Sequence, residues 1–313
     1  MIHSYNRFFT FSLLFLLLAT GCRTEPSPKD SNPPLKGIAT VSFLADIAQN
    51  IAGEKITFSS LIPIGVDPHA FEPVPSDVVK VTESEILIEN GAGLEDWLRP
   101  ILDNAQGKRL EVTASEGLTS RKPSFSEQGL IDTPGGEDPH FWLDPHLVIT
   151  YVKNIRDGLI IVDPAGADGY NTRAEVYISQ LNELDLWIKS RVAEIPSGKR
   201  LLVTNHETLG YFADSYGFTI IGSIIPGTST GISPGAGDIA ALEKKIHATG
   251  AKAIFVETGS NLDLASQISN DTGIIVVTDL YTHSLSDRNG PAPTYIDMMK
   301  NNVNKIVNAL KGN

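Results

Sequence analysis

The chain has 313 residues, of which 41% are hydrophobic and 20% charged, the composition of a folded protein with about two domains. Its formal net charge of −12 argues against a nucleic-acid partner, because such binding depends on neutralising phosphates with Lys and Arg. The single cysteine excludes an intramolecular disulfide, and it excludes thiolate metal sites and cysteine nucleophiles elsewhere in the chain.

The N-terminus is typical of an exported lipoprotein. Arg7 precedes an apolar run over residues 8–18, and small residues follow it up to Cys22. This run is too short to cross a membrane core of ~30 Å as a helix, but it fits an export signal. We expect a signal peptide over residues 1–21, lipidation of Cys22 and a flexible tether over 22–36, which would anchor the protein to a membrane outside the cytoplasm. A plain secretion signal with an incidental cysteine is the alternative.

Two sets of short apolar runs alternate with helical segments in the rest of the chain. In the first half the runs predict strands near residues 38–43, 56–62, 86–88 and 109–112. In the second half they predict strands near residues 201–204, 219–221, 253–256 and 274–277. Strands that alternate with helices are typical of a parallel sheet covered on both faces.

A long helix is predicted between the two sets of strands. Apolar side chains recur at spacings of three and four from Ala174 to Ile195, and Pro196 would end the helix. We therefore predict an α/β fold of two lobes, each with a mostly parallel four-stranded sheet flanked by helices, joined by one long linking helix. The predicted boundaries are 37–168 for the N-terminal lobe, 169–196 for the linking helix and 197–313 for the C-terminal lobe.

Four of the seven histidines have a loop context in common. His69, His206 and His283 follow predicted strands, and His140 precedes a helix after a Gly-rich loop. Ligands gather at the carboxyl ends of parallel strands, so two facing sheets would bring two histidines from each lobe together. Imidazole nitrogen suits zinc, and four ligands make a closed tetrahedral site. Taken singly, each histidine is more simply an ordinary polar residue, and the spacing alone leaves both interpretations open.

The motifs around these histidines resemble those of a known family. The motif residues are 65–73 (GVDPHAFEP), 138–145 (DPHFWLDP), 204–206 (TNH), 210–212 (GYF), 216–217 (YG), 285–286 (LS), 295 (Y) and 298–299 (MM). Together they are similar to the metal-binding receptors of bacterial zinc and manganese ABC importers, from about Gly37 to Leu310. The resemblance implies a transported metal ion, an importer permease as partner and no enzymatic activity. We also expect a monomer.

The resemblance assigns ligands residue by residue. Three family ligand positions fall on His69, His140 and His206, and the third is commonly His in zinc members and Glu in manganese members. His206 therefore favours Zn²⁺ over Mn²⁺. The fourth family ligand is usually an Asp at the position of His283. We expect His283 to replace it and complete a four-His site, with Asp279 or water as the alternative.

Four neutral imidazoles would leave the full charge of a divalent ion in place. Nearby acids should then accept hydrogen bonds from the imidazole N–H groups. The candidates are Asp67, Glu72, Asp138, Asp144, Glu207 and Asp279. The alternative is that several of them are helix caps or surface charges. We expect His247 at the surface and His146 away from the metal site.

Two other functions stay open. A manganese-binding receptor or adhesin would have the same fold. A zinc hydrolase would need three protein ligands, a bound water and a general base. Glu207, beside His206, is the most plausible base, but the sequence has no His-Glu-x-x-His pattern and a fourth histidine ligand would leave no open position.

Overall fold

A computed structural model describes residues 1–2, 33–122, 137–231 and 233–312. The predicted lipidation site Cys22, nearly all of the signal peptide and most of the tether lie outside the described residues. The chain divides into two units, Met1–Pro33 and Pro34–Asn313, and both sheets belong to the second. Among the described residues, no helix combines the length and the apolar character needed to cross a membrane.

The first sheet consists of four parallel strands. They are β1 (Leu35–Ala39), β2 (Ile56–Ser60), β3 (Ile86–Glu89) and β4 (Leu110–Thr113), in the spatial order β2-β1-β3-β4. The helices of this lobe are α1 (Ser42–Ala52), α2 (Pro75–Thr82), α3 (Leu98–Asn104) and α4 (Pro145–Val162). Ile86, Leu87 and Ile88 are all buried, as expected of a central parallel strand covered on both faces.

The long helix α5 (Ala167–Val192) contacts both lobes. It packs against α1 and α4 with a buried stripe that includes Tyr177, Leu181 and Ile188. Its C-terminal boundary falls before the predicted end at residue 196. The ring of Pro196 disfavours helical geometry in the residue before it, so the helix ends ahead of the proline.

The second sheet repeats the order of the first. Its parallel strands are β5 (Leu201–Thr204), β6 (Thr219–Ser223), β7 (Ala253–Glu257) and β8 (Ile275–Leu280), in the order β6-β5-β7-β8. Its helices are α6 (Gly210–Tyr216), α7 (Ala236–Thr249), α8 (Asp263–Thr272) and α9 (Tyr295–Leu310), and α9 packs against α5. The predicted fold class, two parallel four-stranded sheets flanked by helices with one long helix, is confirmed.

Trp142 ties the two lobes together beside the predicted site. Its ring stacks on Phe43 of α1 at a centroid distance of 4.7 Å. Its indole N–H donates to the carbonyl of Thr282 at 2.6 Å, and its own carbonyl accepts from the Tyr295 hydroxyl at 2.7 Å. Because Thr282 precedes His283 and Trp142 lies two residues after His140, these bonds fix the spacing of histidines from different lobes.

Candidate metal centre

The four predicted histidines converge on one point. The Nε2 atom of His140 lies 3.3 Å from that of His69 and 3.2 Å from that of His283. It lies 3.4 Å from the Nε2 of His206. One nitrogen of each ring lies within 4.8 Å of the corresponding nitrogen of the other three. Each neutral imidazole has only one N–H, so hydrogen bonds among the four rings cannot satisfy all of these nitrogens. The lone pairs of the remaining nitrogens surround a place suited to a cation.

Both Asp-Pro-His segments use the same local device. Asp67 Oδ1 accepts from the backbone N–H of His69 at 2.9 Å and caps the short 3₁₀ turn Pro68–Ala70. Asp138 Oδ1 likewise accepts from the backbone N–H of His140 at 3.1 Å. In each segment the proline supplies a fixed φ for the turn. The repeated motif therefore fixes the backbone of each histidine through the aspartate two residues before it.

His140 is also held through its ring. Its Nδ1 lies 2.8 Å from Asp138 Oδ1, which favours the tautomer with a proton on Nδ1 and a free lone pair on Nε2. The carbonyl of Pro139 accepts from the side-chain amide of Asn90, just after β3, at 3.0 Å. Burial raises the pKa of Asp138 to about 6, although the N–H of His140 and the guanidinium of Arg121 oppose that effect.

One carboxylate lies behind both histidines of the second lobe. Glu257, the last residue of β7, has Oε1 3.0 Å from His206 Nδ1 and Oε2 3.6 Å from His283 Nδ1. The hydroxyl of Thr208 donates to Oε1 at 2.9 Å, which orients the carboxylate. Glu257 is not among the predicted acids, although it lies directly after the predicted strand 253–256, the context that pointed to the histidines.

Burial sets the charge of the cluster. It lowers the pKa of His69, His140 and His283 well below the usual histidine value, and the neighbouring imidazoles lower these pKa values further. Burial also lowers the pKa of His206, but the carboxylate of Glu257 outweighs it, so the net pKa is raised. Three rings are therefore neutral and ready to coordinate, whereas His206 keeps a proton to higher pH.

The other predicted acids have different roles. Asp144 caps α4 by accepting from the N–H of His146 at 2.9 Å, and Glu72 is exposed. The side chain of Asp279 is 64% exposed and lies 4.0 Å from Lys305 Nζ. The prediction that these three acids accept from the imidazoles is wrong, because each side chain points to another partner or to solvent. His146 and His247 are exposed, away from the cluster, as predicted.

Glu207 and Asp67 form contacts between the lobes. Arg121 Nη1 lies 3.3 Å from Asp138 Oδ2 and 3.6 Å from Glu207 Oε1. Asp67 Oδ2 accepts from the hydroxyl of Thr230 at 2.6 Å. Contact with a guanidinium favours a structural role for Glu207 over that of a general base.

The sequence matches the family described as ZnuA, zinc-uptake complex component A, periplasmic, over residues 38–309. The manganese-binding lipoprotein MntA of Halalkalibacterium halodurans is 34% identical over 304 residues, covering 96% of this chain and 98% of that protein. The manganese ABC transporter substrate-binding lipoprotein PsaA of Streptococcus pneumoniae is 33% identical over 305 residues, covering 96% of each chain.

Solved structures agree with these relatives. The periplasmic zinc-binding protein TroA from Treponema pallidum has a TM-score of 0.79 at 27% identity, covering 88% of this chain and 99% of that chain. An Mn-bound periplasmic metal-binding protein from Candidatus Liberibacter asiaticus has a TM-score of 0.78 at 26% identity, with the same coverage. The chain therefore belongs to the ZnuA family of metal-binding, substrate-binding proteins of ABC transporters.

Proposed function

We propose that this protein is an extracytoplasmic receptor that captures one Zn²⁺ between its lobes and delivers it to the permease of an ABC importer. The ligands are the Nε2 atoms of His69, His140, His206 and His283. The spacing of these atoms carries the proposal. A tetrahedral zinc site with Zn–N bonds of ~2.0–2.1 Å has nitrogens ~3.3–3.4 Å apart, and the distances from His140 Nε2 are 3.2, 3.3 and 3.4 Å.

The ligand chemistry favours zinc over manganese. Imidazole suits Zn²⁺, whereas carboxylate, carbonyl and water oxygens suit Mn²⁺. Similar proteins are named for manganese, iron and zinc, so family membership leaves the choice of metal to the ligand set. A manganese-binding receptor or adhesin of the same fold is the alternative. An all-nitrogen site is the feature that argues against it.

The membrane attachment is part of the same proposal. Residues 1–21 are removed as a signal peptide, and a lipid on Cys22 anchors the monomeric receptor outside the cytoplasm through the tether 22–36, whose last two residues already belong to β1. The names of the similar lipoproteins support this attachment. The boundaries 37–168, 169–196 and 197–313 divide the mature protein into its lobes and linking helix.

Metal analysis combined with an activity screen tests the receptor function. We expect one zinc per chain after exposure to equal concentrations of Zn²⁺ and Mn²⁺, measured by mass spectrometry of the bound metals, since the ligands are all nitrogen. We expect no hydrolysis of ester, phosphate or peptide substrates by the zinc-loaded protein. Turnover that Glu207→Gln abolishes would establish a hydrolase in place of the receptor, and preferential loading with Mn²⁺ would contradict the choice of zinc.

The pKa directions predict how zinc affinity changes with pH. As pH falls, a proton should compete with zinc first at His206, the ring whose pKa is raised. The affinity should be constant above that pKa and fall about tenfold per pH unit below it, as expected for loss of one proton on binding. The other three rings should steepen the fall at lower pH, since their pKa values are lowered.

A zinc titration against a competing chelator between pH 8 and pH 5 measures this profile. Release of two or more protons per zinc near neutral pH would contradict the assignment, because it would require a second ring with a raised pKa.

A further inference from the structure

A cavity of about 360 Å³ connects the imidazole cluster with the surface between the lobes. Val66, Ser233 and Asn261 line it and are exposed. Of the four imidazoles, His283 lines the cavity, whereas His69, His140 and His206 do not. His69 is half-buried, His140 and His206 are fully buried, and Glu257 lines the cavity beside His283. The cavity therefore reaches the cluster from the side of His283.

The walls of this cavity suit a hydrated cation. Asp67 from the first lobe and Glu257 from the second contribute carboxylates, which attract positive charge into a cleft. Asn205, Ser260 and Ser284 add neutral polar groups that can replace water ligands. At ~30 Å³ per water the space holds on the order of ten waters, more than the first hydration shell of a divalent ion.

The inner end of the cavity lies on an irregular segment of the chain. His283 and its neighbours Thr282 and Ser284 all line the cavity, and no helix or strand is formed between the end of β8 and the start of α9. His140 and His283 both lie against the Trp142 ring, at centroid distances of 5.1 and 5.8 Å, and His140 is also held by Asp138. An ion that arrives through the cavity reaches His283 before His140 and His206, which are fully buried.

We propose that this cavity, which we call the vestibule, is the path by which the hydrated divalent cation enters and leaves, and that His283 is the first imidazole it meets. The inference rests on the proposed receptor function and adds the route to it. If the ion exchanges through the vestibule, an obstacle there raises the barrier equally in both directions. Narrowing the vestibule should therefore slow binding and release without changing the equilibrium affinity.

Val66→Trp tests the route. Val66 lines the vestibule from the first lobe and is 39% exposed, so a larger side chain extends into open space without disturbing the core. We expect the association and dissociation rate constants for Zn²⁺ to fall together by about tenfold or more, a barrier increase of about 1.4 kcal/mol. The dissociation constant should stay within about twofold of the wild-type value. Stopped-flow mixing with a fluorescent zinc chelator measures both rates.

Two matched variants serve as controls. Ile64→Trp places the same side chain two residues away, at a position that is 49% exposed and does not line the vestibule. Val66→Ala changes the same position to a smaller side chain. Both should keep the wild-type rates. The proposed path would be contradicted if Val66→Trp kept the wild-type rates or if Ile64→Trp slowed exchange equally. A change in only one of the two rate constants of Val66→Trp would also contradict it. If the wild-type protein binds no zinc, the proposed receptor function is wrong. This result can be distinguished from a failure of the vestibule as the path of exchange.

Discussion

His140→Ala should reduce zinc affinity by more than about 100-fold, the largest loss expected from a single substitution. The Nε2 of His140 is within 3.4 Å of the Nε2 of each of the other three rings, so its removal opens the centre of the cluster. Residues that merely orient a metal ligand cost 10–100-fold when replaced, and loss of a buried ligand should exceed that range. Titration against a chelator of known affinity measures the change.

The matched control for this variant is His146→Ala. His146 lies six residues later on the exposed side of α4 and should leave zinc affinity unchanged. Thermal melts with and without zinc provide a second measurement, because a ligand that binds only the folded state raises the melting temperature. Wild-type protein and His146→Ala should show this rise, and His140→Ala should lose most of it. A full zinc-dependent rise in His140→Ala would remove His140 from the ligand set.

His283→Ala and Asp279→Ala should differ strongly in zinc affinity. We expect the first to lose about tenfold or more and the second to stay within about twofold of wild type. Water can take the fourth position of a zinc site, which limits the loss in His283→Ala. The side chain of Asp279 is exposed and lies near Lys305, so its removal should leave the imidazole cluster unchanged. If Asp279→Ala alone weakens binding, the four-histidine assignment is wrong.

A third variant at this position tests metal choice. His283→Asp would replace one imidazole with a carboxylate and should move the Zn²⁺/Mn²⁺ affinity ratio toward manganese, since oxygen ligands suit Mn²⁺. Metal competition on the purified variant measures the ratio. An unchanged ratio would show that the residue at this position does not set the preference.

Much of the fold follows from local patterns in the sequence. The apolar runs of β1 to β8 and the three-and-four spacing in α5 reflect burial, which a single chain records directly. The four histidines could be found because each lies in a recognisable motif next to a turn or a strand end. The prediction that they converge used a general rule for parallel sheets, that ligands bind at the carboxyl ends of the strands.

Glu257 and Asp279 show what a sequence cannot record. Glu257 is one of 37 acidic residues and has no distinguishing motif, so its position behind two imidazoles depends on strand register. The pairing of β7 with β8 shifts between Phe255 and Glu257, which changes the alternation of side chains at that point. Asp279, the alternative fourth ligand, could face the side of His283 only on a regularly extended segment. Its φ of 62° is left-handed, so regular alternation is interrupted before His283.

Glu257 lies behind both His206 and His283, so a movement of this residue would affect both rings at once. A separation of the lobes would draw both rings away from the ion, and it would have to break the hydrogen bond from the Trp142 indole of the first lobe to the carbonyl of Thr282. The other two ligands, His69 and His140, belong to the first lobe, where Asp67 and Asp138 each hold one of them. During release the ion would then lose two ligands in one step, instead of losing four ligands one after another.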